Sequence, residues 1–143
     1  MKRVLICLKS TQSVDGTTDS VEFETYGTMT EKNGCTYLYY KENSDIGAQE
    51  VNTVLKVKDD IATIIRTGDL NGRLVFEKGS RHECLYPTIY GNTRIGVFSQ
   101  TVKNELIKNG SITLCYTLDI NGQCISKNRV EINVREEEKN QCQ

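Results

Sequence analysis

Between Ser111 and Asp119 the even positions are apolar, Ile112, Leu114, Tyr116 and Leu118, with Ser111, Thr113, Thr117 and Asp119 polar between them. That is the period of a strand with one face buried. The same parity resumes in Val130, Ile132 and Val134. If both sets face one core, the connection between them is constrained. A two-residue loop at Asn121-Gly122 would set even residues opposite odd ones and turn the second apolar set outward. The pattern therefore predicts a three-residue loop, with Asp119 opening a type I turn and Gly122 in the left-handed position of a bulge.

Composition bears on how far this pattern extends. Val, Ile and Thr total 38 residues against two Ala, a β-branched excess that a helical chain would not show. A length of 143 residues suits one domain with its own core. The net charge of -1 carries no overall basic footprint, so neither nucleic acid nor an acidic membrane is expected as a partner. Met1-Lys2-Arg3 and the short apolar run from Val4 to Leu8 lack the longer apolar segment and cleavage site of a signal peptide. No stretch reaches the roughly 20 apolar residues of a membrane span. The expected location is cytoplasmic.

Six cysteines, Cys7, Cys35, Cys84, Cys115, Cys124 and Cys142, are scattered without a C-x-x-C pair. In a reducing compartment they read as small core or surface residues. The sharper alternative is Arg81-His82-Glu83-Cys84. On a strand His82 and Cys84 would share a face, which gives at most two of the four ligands that a zinc site wants. No metal and no cofactor is expected.

Turn signals punctuate the rest of the chain at the spacing of a meander. A first strand from about Arg3 to Gln12 ends at Val14-Asp15-Gly16-Thr17, and a second carries Val21, Phe23 and Met29 on one parity. Glu31-Lys32-Asn33-Gly34 turns into Cys35 to Tyr40, and the polar stretch from Lys41 to Glu50 reads as the longest loop. Strands follow at Val51 to Val57, Ile61 to Thr67, Arg73 to Glu77, about Cys84 to Tyr86, and Thr93 to Lys103. No convincing helix appears. About ten strands joined by short turns imply an all-β, antiparallel sheet, and closure into a barrel would remove its exposed edges. A two-sheet sandwich is the alternative. The expected domain is a single β-barrel over residues 1–134, followed by a polar tail over 135–143.

Several separated motifs carry a resemblance. They are Arg66-Thr67-Gly68, Leu74-Val75-Phe76-Glu77-Lys78-Gly79, Tyr86-Pro87-Thr88-Ile89-Tyr90-Gly91, and Tyr116-Thr117-Leu118-Asp119 with Gly122. In order and spacing the chain resembles the bacterial YwiB-like family over nearly its whole length. One departure is that Ile89 precedes Tyr90-Gly91 while the proline stands two positions earlier. The resemblance implies a calycin-like (lipocalin-like) β-barrel and supplies no established activity.

The best candidate site combines Arg66, Tyr86, Thr88, Tyr90 and Arg94, with His82 nearby in sequence. Arg66 shares its parity with Ala62 and Ile64, and either face of that strand could be the inner one. An inward arginine must meet a carboxylate, carbonyls or an anionic ligand, because a buried unpaired charge costs several kcal/mol. Arginine with tyrosine hydroxyls is a donor set suited to a carboxylate head group. An exposed or structurally paired arginine is the plainer reading. With one His, no nucleophile turn and no phosphate loop, the chain gives no catalytic signature. The function expected is non-enzymatic binding of a small, partly apolar, anionic molecule in the barrel. The alternative is an interaction or assembly module that works from its outer surface, as a homodimer for instance. The state of the lumen discriminates them: large inward groups such as Phe23, Tyr116, Leu114, Phe76 and Ile132 would leave no room.

Overall fold

The computed structural model describes residues 1–43, 50–68, 71–88 and 91–136, and the side chains of residues 43, 87 and 88 lie outside the described set. Ten strands and one helical turn follow in order. They are β1 (Lys2–Val14), β2 (Thr17–Lys32), β3 (Cys35–Asn43), β4 (Glu50–Lys58), β5 (Ile61–Gly68), β6 (Gly72–Glu77), β7 (Arg81–Thr88), β8 (Gly91–Glu105), α1 (Leu106–Asn109), β9 (Ser111–Ile120) and β10 (Gln123–Glu136).

All the strands belong to one antiparallel sheet in the order β6-β5-β4-β3-β2-β1-β10-β9-β8-β7. Every strand pairs with its neighbours in sequence except across β6 and β7, and β1 meets β10 to join the two halves. The free edges, β6 and β7, are drawn together by the intervening turn: Gly79 N donates to Ser99 O at 2.8 Å and Ser80 N to Glu77 O at 3.0 Å. His82 Nε2 and Glu77 Oε1, 2.9 Å apart, tie the same seam. The result is a nearly closed ten-stranded barrel, not a sandwich.

Alternation along the strands fills one half of this barrel with apolar groups. Val4, Ile6, Leu38, Leu55, Val57, Phe76, Leu114 and Ile132 are essentially without solvent exposure, and each such burial is worth about 1.5–3 kcal/mol. At that end Leu106 of α1 joins the core, and Asn104 Nδ2 reaches across to Asp59 O at 3.3 Å. Gly27 stands where β2 passes closest to β3. A Cβ there would run into the Tyr39 carbonyl oxygen and lie 2.9 Å from the end of Ile6.

Three expectations need correction. The β9–β10 connection is a two-residue turn, with Asn121 at φ 54° and Gly122 at φ 85°, and Ile120 pairs with Gln123 across it. A twisted pair of positive φ values matches the twist of the strands it joins. Parity is restored one step later: a bulge between Cys124 and Ser126 inserts Ile125, and from there Leu118 faces Ser126 and Leu114 faces Val130. The parity argument holds, but the bulge lies in the strand and not in the loop. The second correction is α1, one helical turn ending on Gly110 in the left-handed region. Its four residues are too few to show a helical period. The third is the boundary at 134, because Arg135 and Glu136 continue β10 opposite Leu5 and Val4; residues 137–143 lie outside the described set. Among the described residues no helix is long and apolar enough to cross a membrane.

Candidate functional site

Polar residues take over the inward positions at the end of the barrel opposite α1. β1 and β2 bring Ser10, Gln12 and Asp19 there, β3 brings Tyr40 and Glu42, and β5, β7, β9 and β10 bring Arg66, Tyr86, Tyr116 and Asn128. These groups line an open cavity of about 250 Å³ whose inner wall is apolar, with Leu8, Ile64, Leu74, Val130 and Ile132. Pockets for drug-sized ligands run from about 300 Å³ upward. This one takes something smaller.

Register fixes the charged pair at its centre. Tyr40, Thr53 and Arg66 are opposite one another on three successive strands. Glu42, two residues beyond Tyr40, reaches back to them. Arg66 Nε donates to Glu42 Oε2 at 2.9 Å, and Thr53 Oγ1 donates to the same oxygen at 2.6 Å. Burial works against the Arg66 charge, but the Glu42 carboxylate outweighs it, so the guanidinium is held above its ordinary pKa. Only Nε is used in this pair. Arg66 also lines the cavity, and a guanidinium is a planar fork suited to carboxylates.

Burial also pushes the Tyr40 hydroxyl above its ordinary range, and the nearby Glu42 charge adds to it. Tyr116 is pushed up to about 12, chiefly by burial and against the pull of Arg66. Both phenols therefore remain protonated donors at neutral pH. Tyr116 is braced from behind by Phe76, ring centroids 4.7 Å apart at 60°.

Of the residues expected at a site, the structure brings together Arg66 and Tyr86. Tyr86 lies at the rim, 38% exposed. Arg94 has the opposite parity, pairs with the outward Leu85, and is 74% exposed beside Glu83 at 3.7 Å. It does not belong to the cavity. Tyr90 and the side chain of Thr88 lie outside the described residues. So does most of the expected loop from Lys41 to Glu50, whose first residues, Lys41–Asn43, extend β3. Sequence reasoning missed Glu42, Tyr40, Asp19 and Thr53. The signal was there: Glu42 continues the parity of Leu38 and Tyr40, and a charge on an inward parity marks an internal polar site.

The other cluster weighed, His82 with Cys84, is engaged differently. His82 bonds Glu77, and the buried Cys84 points its Sγ towards His82 O at 3.9 Å. Burial pushes the Cys84 thiol up, which makes it a poor nucleophile. Among the described residues no three His, Cys, Asp or Glu side chains converge as a metal ion would require.

Known proteins share the domain and the fold. The family model described as Domain of unknown function (DUF1934) matches residues 6–132. The chain is also similar to a solved structure, the crystal structure of ywiB protein from Bacillus subtilis. The TM-score is 0.76 at 21% sequence identity, over 92% of this chain and 91% of that one. At that identity the likeness speaks for the fold. No curated protein matches the chain.

Proposed function

This chain belongs to the DUF1934 family of YwiB-like barrels, and from that premise we propose that it is a non-enzymatic binding protein for a small, partly apolar molecule with an acidic head group. The ligand enters the open polar end of the barrel. Its head group is received by the cavity-facing end of Arg66 and the hydroxyls of Tyr86 and Tyr116, and its apolar part rests on Leu8, Ile64, Leu74 and Val130.

The observation that carries this reading is that Arg66, paired with Glu42, lines the cavity among tyrosines. Glu42, whose Oε2 also accepts from Thr53 Oγ1, holds the guanidinium through Nε, and Arg66 lines a space shared with Tyr40, Tyr86 and Tyr116. Such an arrangement pre-organises donors in a partly dry site, which is how small cavities orient a carboxylate. Glu42 and Asp19 line the same space, which favours a ligand that also carries a donor. The state of the lumen is intermediate: Phe76, Leu114 and Ile132 fill the far half, so the ligand occupies the near half alone. Five described cysteines are free thiols, which supports a reducing, cytoplasmic setting.

Native mass spectrometry of gently purified protein tests the proposal. Extra mass lost on denaturation is expected, together with a thermal shift from small amino or hydroxy acids that Tyr86→Phe with Tyr116→Phe abolishes. A clean unliganded mass and no shift across such a panel would overturn it.

A further inference from the structure

The outer face of the other half-sheet carries a second pattern. Reading across the strands, one row of outward residues runs Arg3, Thr28, Tyr39, Val54, Ile65, Arg73, and the next runs Thr30, Tyr37, Lys56, Thr63, Val75. On the other side of the first row lie Tyr26, opposite Leu5, and Lys41, opposite Asn52. These positions hold three tyrosines and four cations, and no Asp or Glu. Acids border the rows without standing in them: Asp59 shares a depression with Lys56 and Arg73, Glu22, Glu24 and Glu42 share another with Lys41, and Glu77 ends β6.

The aromatic groups are ordered and accessible. Tyr37 and Tyr39 stack with centroids 6.2 Å apart and ring planes at 13°. Lys56 Nζ lies over the Tyr37 ring at 5.9 Å and the Arg3 guanidinium over Tyr26 at 5.1 Å. Tyr26 is 53% exposed and Tyr39 39%, a large fraction for side chains of this size. Tyr26, Tyr39, Lys41 and Val54 line one shallow depression of about 440 Å³. Packing within the barrel does not require any of this, because the inner face of the same strands supplies the core.

We propose that this face binds single-stranded nucleic acid, with bases stacked on Tyr26 and Tyr39 and phosphates met by Lys41, Lys56 and Arg73. Flat rings beside cations on an open sheet match the two chemistries of a single strand, base faces and a phosphate chain. The rows themselves hold cations and no carboxylate, which favours a polyanion laid along them. The net charge of -1 gave the opposite expectation because it averages this face with the acid-bearing remainder. The cavity reading is independent, since its residues point to the other side of the sheet.

Fluorescence anisotropy on the full chain tests it, with a labelled uridine oligonucleotide of about 12 nucleotides and a duplex of equal length, starting at about 50 mM salt. The single strand should bind more tightly than the duplex. Tyr39→Ala should weaken that binding by about fivefold or more, the loss of one stacked base. Lys56→Ala should flatten the slope of log affinity against log salt by about 0.7, one phosphate contact. Tyr86→Phe should leave it unchanged. No binding at protein concentrations up to about 10⁻⁴ M, equal binding of duplex, or full binding by a folded Tyr39→Ala protein would overturn the proposal. So would sedimentation showing a dimer that Tyr39→Ala dissociates, because the face would then be covered by a second copy.

Discussion

Arg81 holds Asp119 from two strands away, with Nε on Oδ2 at 2.9 Å and Nη2 on Oδ1 at 2.7 Å. Its guanidinium crosses β8 over Gly96, where any Cβ would collide with it. Asp119 in turn accepts from Gly122 N at 3.2 Å, so one carboxylate joins β7 to the β9–β10 turn.

The pair makes stability depend on pH in a defined direction. Arg81 is the main cause that holds the Asp119 carboxyl below its ordinary 3.8, with the Gly122 amide adding to it. The folded chain then binds this proton less readily than the unfolded chain, so the contribution is complete above about pH 4 and lost as pH falls through the depressed value. Thermal melts of wild type and Asp119→Asn should differ by a constant amount from neutral pH down to that region and converge below it. A gap that persists undiminished at low pH would contradict the assignment.

Two glycines should respond unequally to alanine. At Gly96 the obstacle is the end of a flexible arginine, so Gly96→Ala costs the Arg81–Asp119 bonds, and adding Asp119→Asn should cost little more. At Gly27 the obstacle is the Tyr39 carbonyl, a backbone atom that cannot swing aside. Gly27→Ala should therefore be the worse change, at or above the top of the range of about 1–3 kcal/mol for overpacking. Urea unfolding of the three variants decides the order.

Arg66 and Glu42 should behave as a coupled pair. Arg66→Met leaves the Glu42 carboxylate half-buried beside apolar groups, a loss of about 2–3 kcal/mol. Glu42→Gln with Arg66→Met removes both charges and should recover most of it. Additive losses in a double-mutant cycle would show that the two side chains do not act on each other.

Ile125 is required as a residue but not as a side chain. It is 40% exposed, so Ile125→Ser should change stability by no more than about 0.5 kcal/mol. Deleting it removes the bulge and slips β10 by one residue, which would turn Val130 and Ile132 outward. The deletion should give an unfolded or aggregated chain by circular dichroism and size exclusion.

How much of this could be read from the chain differs from feature to feature. The ten strands, and which side chains share a face on each, were legible, because alternation leaves its mark on every paired strand. The need for an extra residue near the last turn was legible as well. Its location at Ile125 was not, since Asn-Gly satisfies a tight turn and a bulge equally, and the choice depends on the twist of strands already in place. For the cavity, Arg66 and Tyr86 could be found from residue type. Arg94 was wrongly grouped with them, because nearness in sequence says nothing about the side of a sheet. Glu42 lay in a stretch that looked like loop.

The sequence by itself determined that an antiparallel sheet forms and which side chains share each face, because parity is a local property of the extended chain. Only the tertiary structure decided that the sheet curls until β6 meets β7, that Arg66 faces inward onto Glu42, and that one half of the lumen stays open. Those outcomes depend on which distant strands become neighbours, and no spacing along the chain encodes the volume left between them.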